Sequence, residues 1–148
     1  TKWLRFVLYQ LLTNALKYSN EGGKIVICAE NRGDSAVLHI QDEGCGIDPR
    51  DIRRIYDLFF TGQNGRQRGE SSGLGLYMVK QILDYLGHTI EVQSELGKGS
   101  TFTIYFINHK LFQHFEKDYK IVMFCNLSRF LFMNLSIILT TERERRTY

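Results

Sequence analysis

The sequence predicts an α+β fold, a two-layer α/β sandwich with helices on one face of a mixed, largely antiparallel sheet. Three observations carry that expectation. The apolar spacing runs helix, hairpin, short helix, glycine-rich loop, helix, hairpin, which is not a strict β–α alternation. Apolar residues make up 43% and charged residues 24% of the 148 positions, a composition that excludes fibrous and disordered classes. All thirteen glycines and the single proline fall before residue 100. Residues 1–106 therefore read as the folded body, and 107–148 as a tail of different composition.

Residues 3–18, WLRFVLYQLLTNALKY, place Trp3, Phe6, Val7, Leu11, Leu12, Ala15 and Leu16 at near-helical spacing, and Gly22-Gly23 stops the helix. KIVICAE (24–30), the turn NRGD (31–34) and AVLHIQD (36–42) alternate as a β-hairpin. Pro49 to Phe59 is expected to be a short helix with Ile52, Ile55, Tyr56 and Phe59 on one face. Residues 60–72, FTGQNGRQRGESS, have no apolar period, and a loop of that length is expected to be functional or disordered. Leu74 to Leu86 is helical again, with Gly87 as a natural C-cap. TIEVQSE (89–95), the turn LGKG and STFTIYF (100–106) form a second hairpin.

The net charge of +3 lies wholly in the tail. Residues 1–106 hold twelve basic and twelve acidic side chains, against seven and four in 107–148. A neutral body argues against nucleic acid as a partner, because phosphate binding needs concentrated basic charge. Three cysteines (Cys28, Cys45, Cys125) are too few and too odd in number for a disulfide framework and point to a reducing compartment. The chain opens directly on helix-like residues without a signal segment, so it reads as starting inside a domain. Residues 121–139 are largely apolar but are interrupted by Asn126, Ser128, Arg129, Asn134 and Ser136. A central arginine costs about 2.5–3.5 kcal/mol on insertion scales, which disfavours a membrane span. An added interaction helix and an extension from an altered reading frame both stay open for the tail.

Three constellations carry chemistry. Asp42-Glu43-Gly44-Cys45-Gly46-Ile47-Asp48 ends a strand, where a buried carboxylate can accept from an exocyclic amine and the glycines let backbone approach a flat ring. An acceptor there favours adenine over guanine; a plain turn explains the same residues. Ser72-Gly73-Leu74-Gly75-Leu76 opens a helix, whose free amides and dipole suit phosphate, although a capped helix after a loop fits equally. Gln10, Asn14, Lys17 and Tyr18 share one helix face. An amide oxygen can coordinate Mg²⁺, a lysine can neutralise phosphate and a tyrosine can pack on a base, yet an ordinary polar stripe has the same spacing.

Together, residues 10–18 (QLLTNALKY), 42–48 (DEGCGID), 56–60 (YDLFF), 72–76 (SGLGL) and 97–102 (GKGSTF) resemble the N box, first glycine box, F box, second glycine box and closing strand of the sensor histidine kinase ATP-binding domain. That domain has the Bergerat fold, shared with DNA gyrase, MutL and Hsp-type chaperone ATPases. FTGQNGR followed by ESSGLGLYMVKQIL further resembles the small bacterial kinases with short membrane sensors that respond to cell-envelope antibiotics. The resemblance covers about residues 3–106. It implies ATP and Mg²⁺ as cofactors, with Asn14 and Gln10 as the metal-side residues. It puts Lys17 on phosphate, Tyr18 near adenine, Asp42 on the adenine amine, and Gly44, Gly46 and Ile47 along the base. Phe60 becomes the F-box aromatic and residues 61–72 the ATP lid, with Arg66 and Arg68 as phosphate contacts. Gly73, Leu74, Gly75 and Leu76 would hold the phosphates. Ser100 would support Asp42 through its hydroxyl or a water, or adjacent Thr101 would be the one facing inward.

In the hydrolytic relatives the residue four before the asparagine is a glutamate that activates water; here it is Gln10, which cannot act as a base. The resemblance thus implies phosphoryl transfer to a protein histidine, which rests on positioning and electrostatics. The acceptor would lie on a separate dimerisation domain, with a response regulator downstream. The domain would be cytoplasmic and would reach the membrane only through sensor segments outside this chain. Two departures stand out. His39, His88, His109 and His114 have no phosphoacceptor context, and the strand expected before residues 3–18 is missing, which would weaken folding or leave a sheet edge open. The rival reading is a degenerate, nucleotide-independent module that docks through its tail.

Overall fold

The computed structural model describes residues 2–32, 34–68, 71–107 and 119–124. Helix α1 (Lys2–Tyr18) buries Leu4, Val7, Leu11 and Ala15, a stripe at three- and four-residue steps that faces the sheet. Trp3 and Leu16, which the spacing also placed among the apolar positions, stay exposed. Strands β1 (Lys24–Asn31) and β2 (Ser35–Asp42) form the first hairpin, and β3 (Thr89–Glu95) and β4 (Gly99–Ile107) the second.

The sheet order is β3-β4-β2-β1-β5, and every described pairing is antiparallel. The fifth strand, β5 (Tyr119–Phe124), comes from the compositional tail and pairs with β1 from Lys24↔Phe124 to Ala29↔Tyr119. Strand β1 is thus flanked by β5 and is not an edge, and the sheet continues past residue 107. Positions 125–139, the rest of the apolar run, lie outside the described residues. Among the described residues no helix is long and apolar enough to cross a membrane.

One face of the sheet carries Ile25, Ala36, Leu38, Ile40, Ile90, Phe102, Ile104 and Phe106, packed against α1 and against Val79, Ile82 and Leu83 of α3 (Gly75–Tyr85). Leu11 is 1% exposed at the centre of this core; truncating such a residue to alanine costs about 2–5 kcal/mol. At the end of α3, Gly87 takes a φ of +75° and its N–H donates to the Asp84 carbonyl, the expected C-terminal stop.

Between the layers the sequence reading needs two corrections. Pro49–Phe59 is not a helix beyond one 3₁₀ turn at Ile52–Arg54. Ile55 and Tyr56 face the core, but Phe59 is 66% exposed with a φ of +60°, and its N–H donates to the Gly73 carbonyl at 3.0 Å. That bond turns the chain toward the second glycine element instead of continuing a helix. Within the aperiodic stretch 60–72, a six-residue helix α2 (Gln63–Arg68) forms.

The described histidines are structural. On the face away from the helices, His39 bonds through Nδ1 to the Thr103 hydroxyl at 3.0 Å and lies 3.5 Å from Glu30. His88 is buried, stacks edge-on to Phe106 and accepts from the Ile107 N–H. His109 and His114 fall outside the described residues.

Candidate functional site

Where α1, the loop after β2, the 60–72 segment, the start of α3 and the β3–β4 hairpin meet, they enclose a cavity of about 350 Å³. Gln10, Asn14, Lys17 and Tyr18 line it from α1, and Asp42, Gly46 and Ile47 from the end of β2 and the loop beyond. Phe60 comes from just before the 61–72 segment, Gly73 from just after it, Gly75 and Leu76 from the first turn of α3, and Ser100 from β4. Residues more than sixty positions apart in sequence thus face one space.

A polar row crosses one end of the sheet, and two of its members, Asp42 and Ser100, line the cavity. Register pairs Ser94 with Ser100 and Ser100 with Asp42, so the three lie side by side on adjacent strands. Asp42 is 6% exposed, and burial pushes its carboxyl up from 3.8 to about 6, while the N–H groups of Gly44 and Ser100 pull the other way. Gly44 donates to Asp42 Oδ1 at 2.9 Å. The carboxyl is therefore ionised at neutral pH, an oriented acceptor at the base of the cavity. At the mouth, Asp48 pairs with Arg50, whose hydrogen bonds hold its carboxyl down at about 2.

On the α1 side, Lys17 Nζ donates to the Ser71 hydroxyl at 2.9 Å, and the Tyr18 hydroxyl shares a second 2.9 Å bond with the same oxygen. Gly65 of α2 is buried against this pair: a Cβ there would come within 3.2 Å of Ser71 Oγ and 3.3 Å of the Tyr18 hydroxyl. A glycine inside a helix costs about 1 kcal/mol relative to alanine, and here it permits α2 to approach α1 closely. Gln10 reaches across to the first residue of α3, where a Cβ on Gly75 would sit 2.6 Å from Gln10 Oε1.

Two glycines hold positive φ where the walls converge. Gly46, at +68°, lies so close to the hairpin that a Cβ would approach the Glu95 carbonyl oxygen to 2.1 Å, and Gly73, at +70°, is packed likewise on the Phe59 backbone at 2.4 Å. Gly44 does not line the cavity; it lies against the Tyr18 backbone and holds Asp42. Leu74 caps α3 from outside the lining and is 38% exposed. Arg66 turns back to donate to the Thr61 carbonyl at 3.1 Å and does not line the cavity. The Arg68 side chain is outside what is described. Thr101 pairs with Gln41 and Gln93 on the face away from the helices, because strand alternation gives the inward position to Ser100. Ser100 assists Asp42 with its N–H, whereas its hydroxyl bonds Ser94 at 2.9 Å.

Several site residues escaped the sequence reading. Ser94 carried a legible signal, a small polar residue at an inward position after Ile90 and Val92. Ser71 and Gly65 carried none, since nothing periodic marks residues 60–72. Asp51 and Leu96 also line the cavity, from turns whose direction only the fold fixes.

Chemically, the cavity offers buried acceptors at the sheet end, a lysine and two side-chain amides along α1, and a glycine-opened helix start opposite. That combination suits a flat base bearing an amine joined to an anionic chain. The comparisons agree with this geometry. Residues 1–110 match the family described as histidine kinase-, DNA gyrase B-, and HSP90-like ATPase. The sensor histidine kinase YxdK of Bacillus subtilis is 43% identical over 112 residues, 72% of this chain and 33% of that protein. The sensor protein kinase GraS of Staphylococcus aureus is 42% identical over 106 residues, 72% and 30% respectively. The chain thus spans about a third of the length of these relatives. Among solved structures, the mycobacterial sensor histidine kinase MprB superposes with a TM-score of 0.66 at 27% identity, covering 73% of this chain and 74% of that one. Full-length ShkA, solved in complex with AMPPNP, gives 0.59 at 27% identity over 72% and 22%. By the match across most of its length, with the fold and cavity to accompany it, the chain belongs to the histidine kinase-, DNA gyrase B- and HSP90-like ATPase family.

Proposed function

We propose that this chain is the ATP-binding catalytic domain of a two-component sensor histidine kinase, which supplies the γ-phosphoryl of ATP to a histidine on a separate dimerisation domain. The observation that carries the proposal is the pairing, across one cavity, of the buried Asp42 acceptor with the glycine-opened start of α3. Asp42 takes the adenine amine, Ile47 and Gly46 flank the base, and Tyr18 packs beside it. Lys17 and the Gly73–Leu76 backbone meet the phosphates. Asn14 and Gln10 both line the cavity and carry amide oxygens of the kind Mg²⁺ accepts beside phosphate oxygens and water. When bound, the cation offsets charge on the phosphates. The fragment positions ATP but has no base of its own at position 10, so alone it turns over little.

The partners on this reading are the phosphoacceptor domain directly and a response regulator indirectly. The domain works in the cytoplasm beneath a membrane sensor of the cell-envelope antibiotic-response type. Calorimetric titration with AMPPNP, with and without Mg²⁺, tests the proposal. Micromolar to sub-millimolar binding that needs Mg²⁺ and is lost in Asn14→Ala is expected; no heat from the folded chain refutes it.

A further inference from the structure

Taking the cavity as an adenine-nucleotide site, we infer that Ser94 is a positioning residue that fixes the hydroxyl of Ser100, so that the base-facing wall accepts hydrogen bonds and does not donate them. Ser94 does not line the cavity; it lies one strand behind, in the row Ser94–Ser100–Asp42. A serine hydroxyl has one proton and two lone pairs. The Ile47 N–H donates to Ser94 Oγ at 2.8 Å. The Gly99 carbonyl, 3.0 Å from the same oxygen, can only accept, so the Ser94 proton goes there. The remaining lone pair of Ser94 faces Ser100 Oγ at 2.9 Å, and the proton between them must come from Ser100.

The Ser100 N–H lies in the plane of the sheet, in the register pair with Asp42. Both donors of Ser100 therefore point away from the cavity it lines, and its side chain presents lone pairs to a ligand. Asp42 beside it is also an acceptor at neutral pH. At the six position of a purine an amine, with its two N–H groups, meets two acceptors, whereas a carbonyl at that one position opposes its lone pairs to theirs. Without Ser94 the Ser100 hydroxyl can rotate and donate to that carbonyl, and the wall loses its discrimination. The same three bonds tie the loop after β2 to the β3–β4 hairpin, so base choice and loop position are set by one side chain.

The test is calorimetric titration of the full chain at pH 8 with AMPPNP and with its guanosine counterpart, for the parent, Ser94→Ala, Ser94→Thr and Ser100→Ala. The parent prefers the adenosine analogue. Ser94→Ala is expected to lower that preference about three- to tenfold, mainly by gaining guanosine affinity, as for one hydrogen bond made or lost. Ser94→Thr, which keeps the hydroxyl, is expected to restore it. Parallel weakening of both analogues with the preference unchanged would show a merely structural role and overturn the inference. Should Ser94→Ala fail to fold, Ser100→Ala decides, since an unchanged preference there removes the proposed acceptor. A folded parent that binds neither analogue defeats the nucleotide reading itself, and this inference with it, before any variant is compared.

Discussion

Asp42→Asn is expected to stabilise the fold while weakening the site. The Asp42 carboxyl is 6% exposed and titrates at about 6 rather than 3.8, with burial as the main cause. A carboxyl whose folded-state value is raised binds its proton more tightly in the native state than in the unfolded chain. Its ionisation therefore costs stability, a cost absent below about pH 4 and complete above about pH 7. A shift of about two pH units corresponds to about 3 kcal/mol at pH 8. Asparagine carries no charge to bury, but it sets an amide N–H₂ near the Gly44 and Ser100 N–H groups, which returns part of the gain. Urea denaturation at pH 8 is expected to find the variant about 1–3 kcal/mol more stable than the parent. The gap closes as the pH approaches 4–5. Over the same pH 8 samples AMPPNP binding falls more than tenfold, about 1.4 kcal/mol. A parent as stable as the variant at pH 8, or a gap that does not change with pH, would refute the argument from burial.

Gly46→Ala forces a Cβ to 2.1 Å from the Glu95 carbonyl at a φ of +68°, whereas Gly87→Ala, at +75°, meets nothing within 4 Å. Thermal unfolding should show Gly87→Ala costing about 1–2 kcal/mol, the left-handed penalty alone, and Gly46→Ala clearly more; equal losses would mean the close approach does not constrain the loop. Ser71→Ala cuts the shared anchor of Lys17 and Tyr18; amide exchange across 61–68 should accelerate at least several-fold with global stability changed by under about 1 kcal/mol, and unchanged exchange would show that this contact does not hold residues 61–68. Removing residues 108–148 deletes β5 and uncovers the β1 edge; exchange at Lys24–Ala29 should rise and the chain should associate with increasing concentration, whereas a truncated chain that stays monomeric with β1 still protected would show that β5 does not guard the edge.

The helices α1 and α3 and both hairpins were legible because each carries a period of apolar residues, and periodicity survives without tertiary context. Asp42 was legible in company: a strand-end acid followed by Gly44 and Gly46 is a turn pattern by itself and gained weight only beside the other motifs. What the sequence hid depended on partners distant along the chain. Phe59 continued the apolar face of Ile52 and Ile55, yet its N–H is claimed by the Gly73 carbonyl, which no local rule foresees. Thr101 and Ser100 were indistinguishable until the register fixed Ser100 opposite Asp42. Strand β5 lay within a tail that looked foreign by composition, and an edge strand of six residues leaves little signal among so many apolar neighbours.

The position of the polar row explains how the fold carries a buried carboxylate without losing its register. Along β2 the inward positions read Ala36, Leu38, Ile40 and then Asp42; along β4 they read Phe106, Ile104, Phe102 and then Ser100; along β3, Ile90 and Val92 precede Ser94. Each strand changes from apolar to polar at the same row. A two-residue slip of any one strand keeps its inward face inward, but it drives a polar side chain beneath α1 or α3, or a large apolar one into the cavity. A buried polar group without its partners costs about 1–3 kcal/mol, so the hydrophobic pattern alone does not select the register; the polar row does. The cavity is then the terminus of the core pattern and not an addition to it. The pairing of β3 with β4 and of β4 with β2 brings Ser94, Ser100 and Asp42 into one row, and without both pairings the acceptors do not stand side by side.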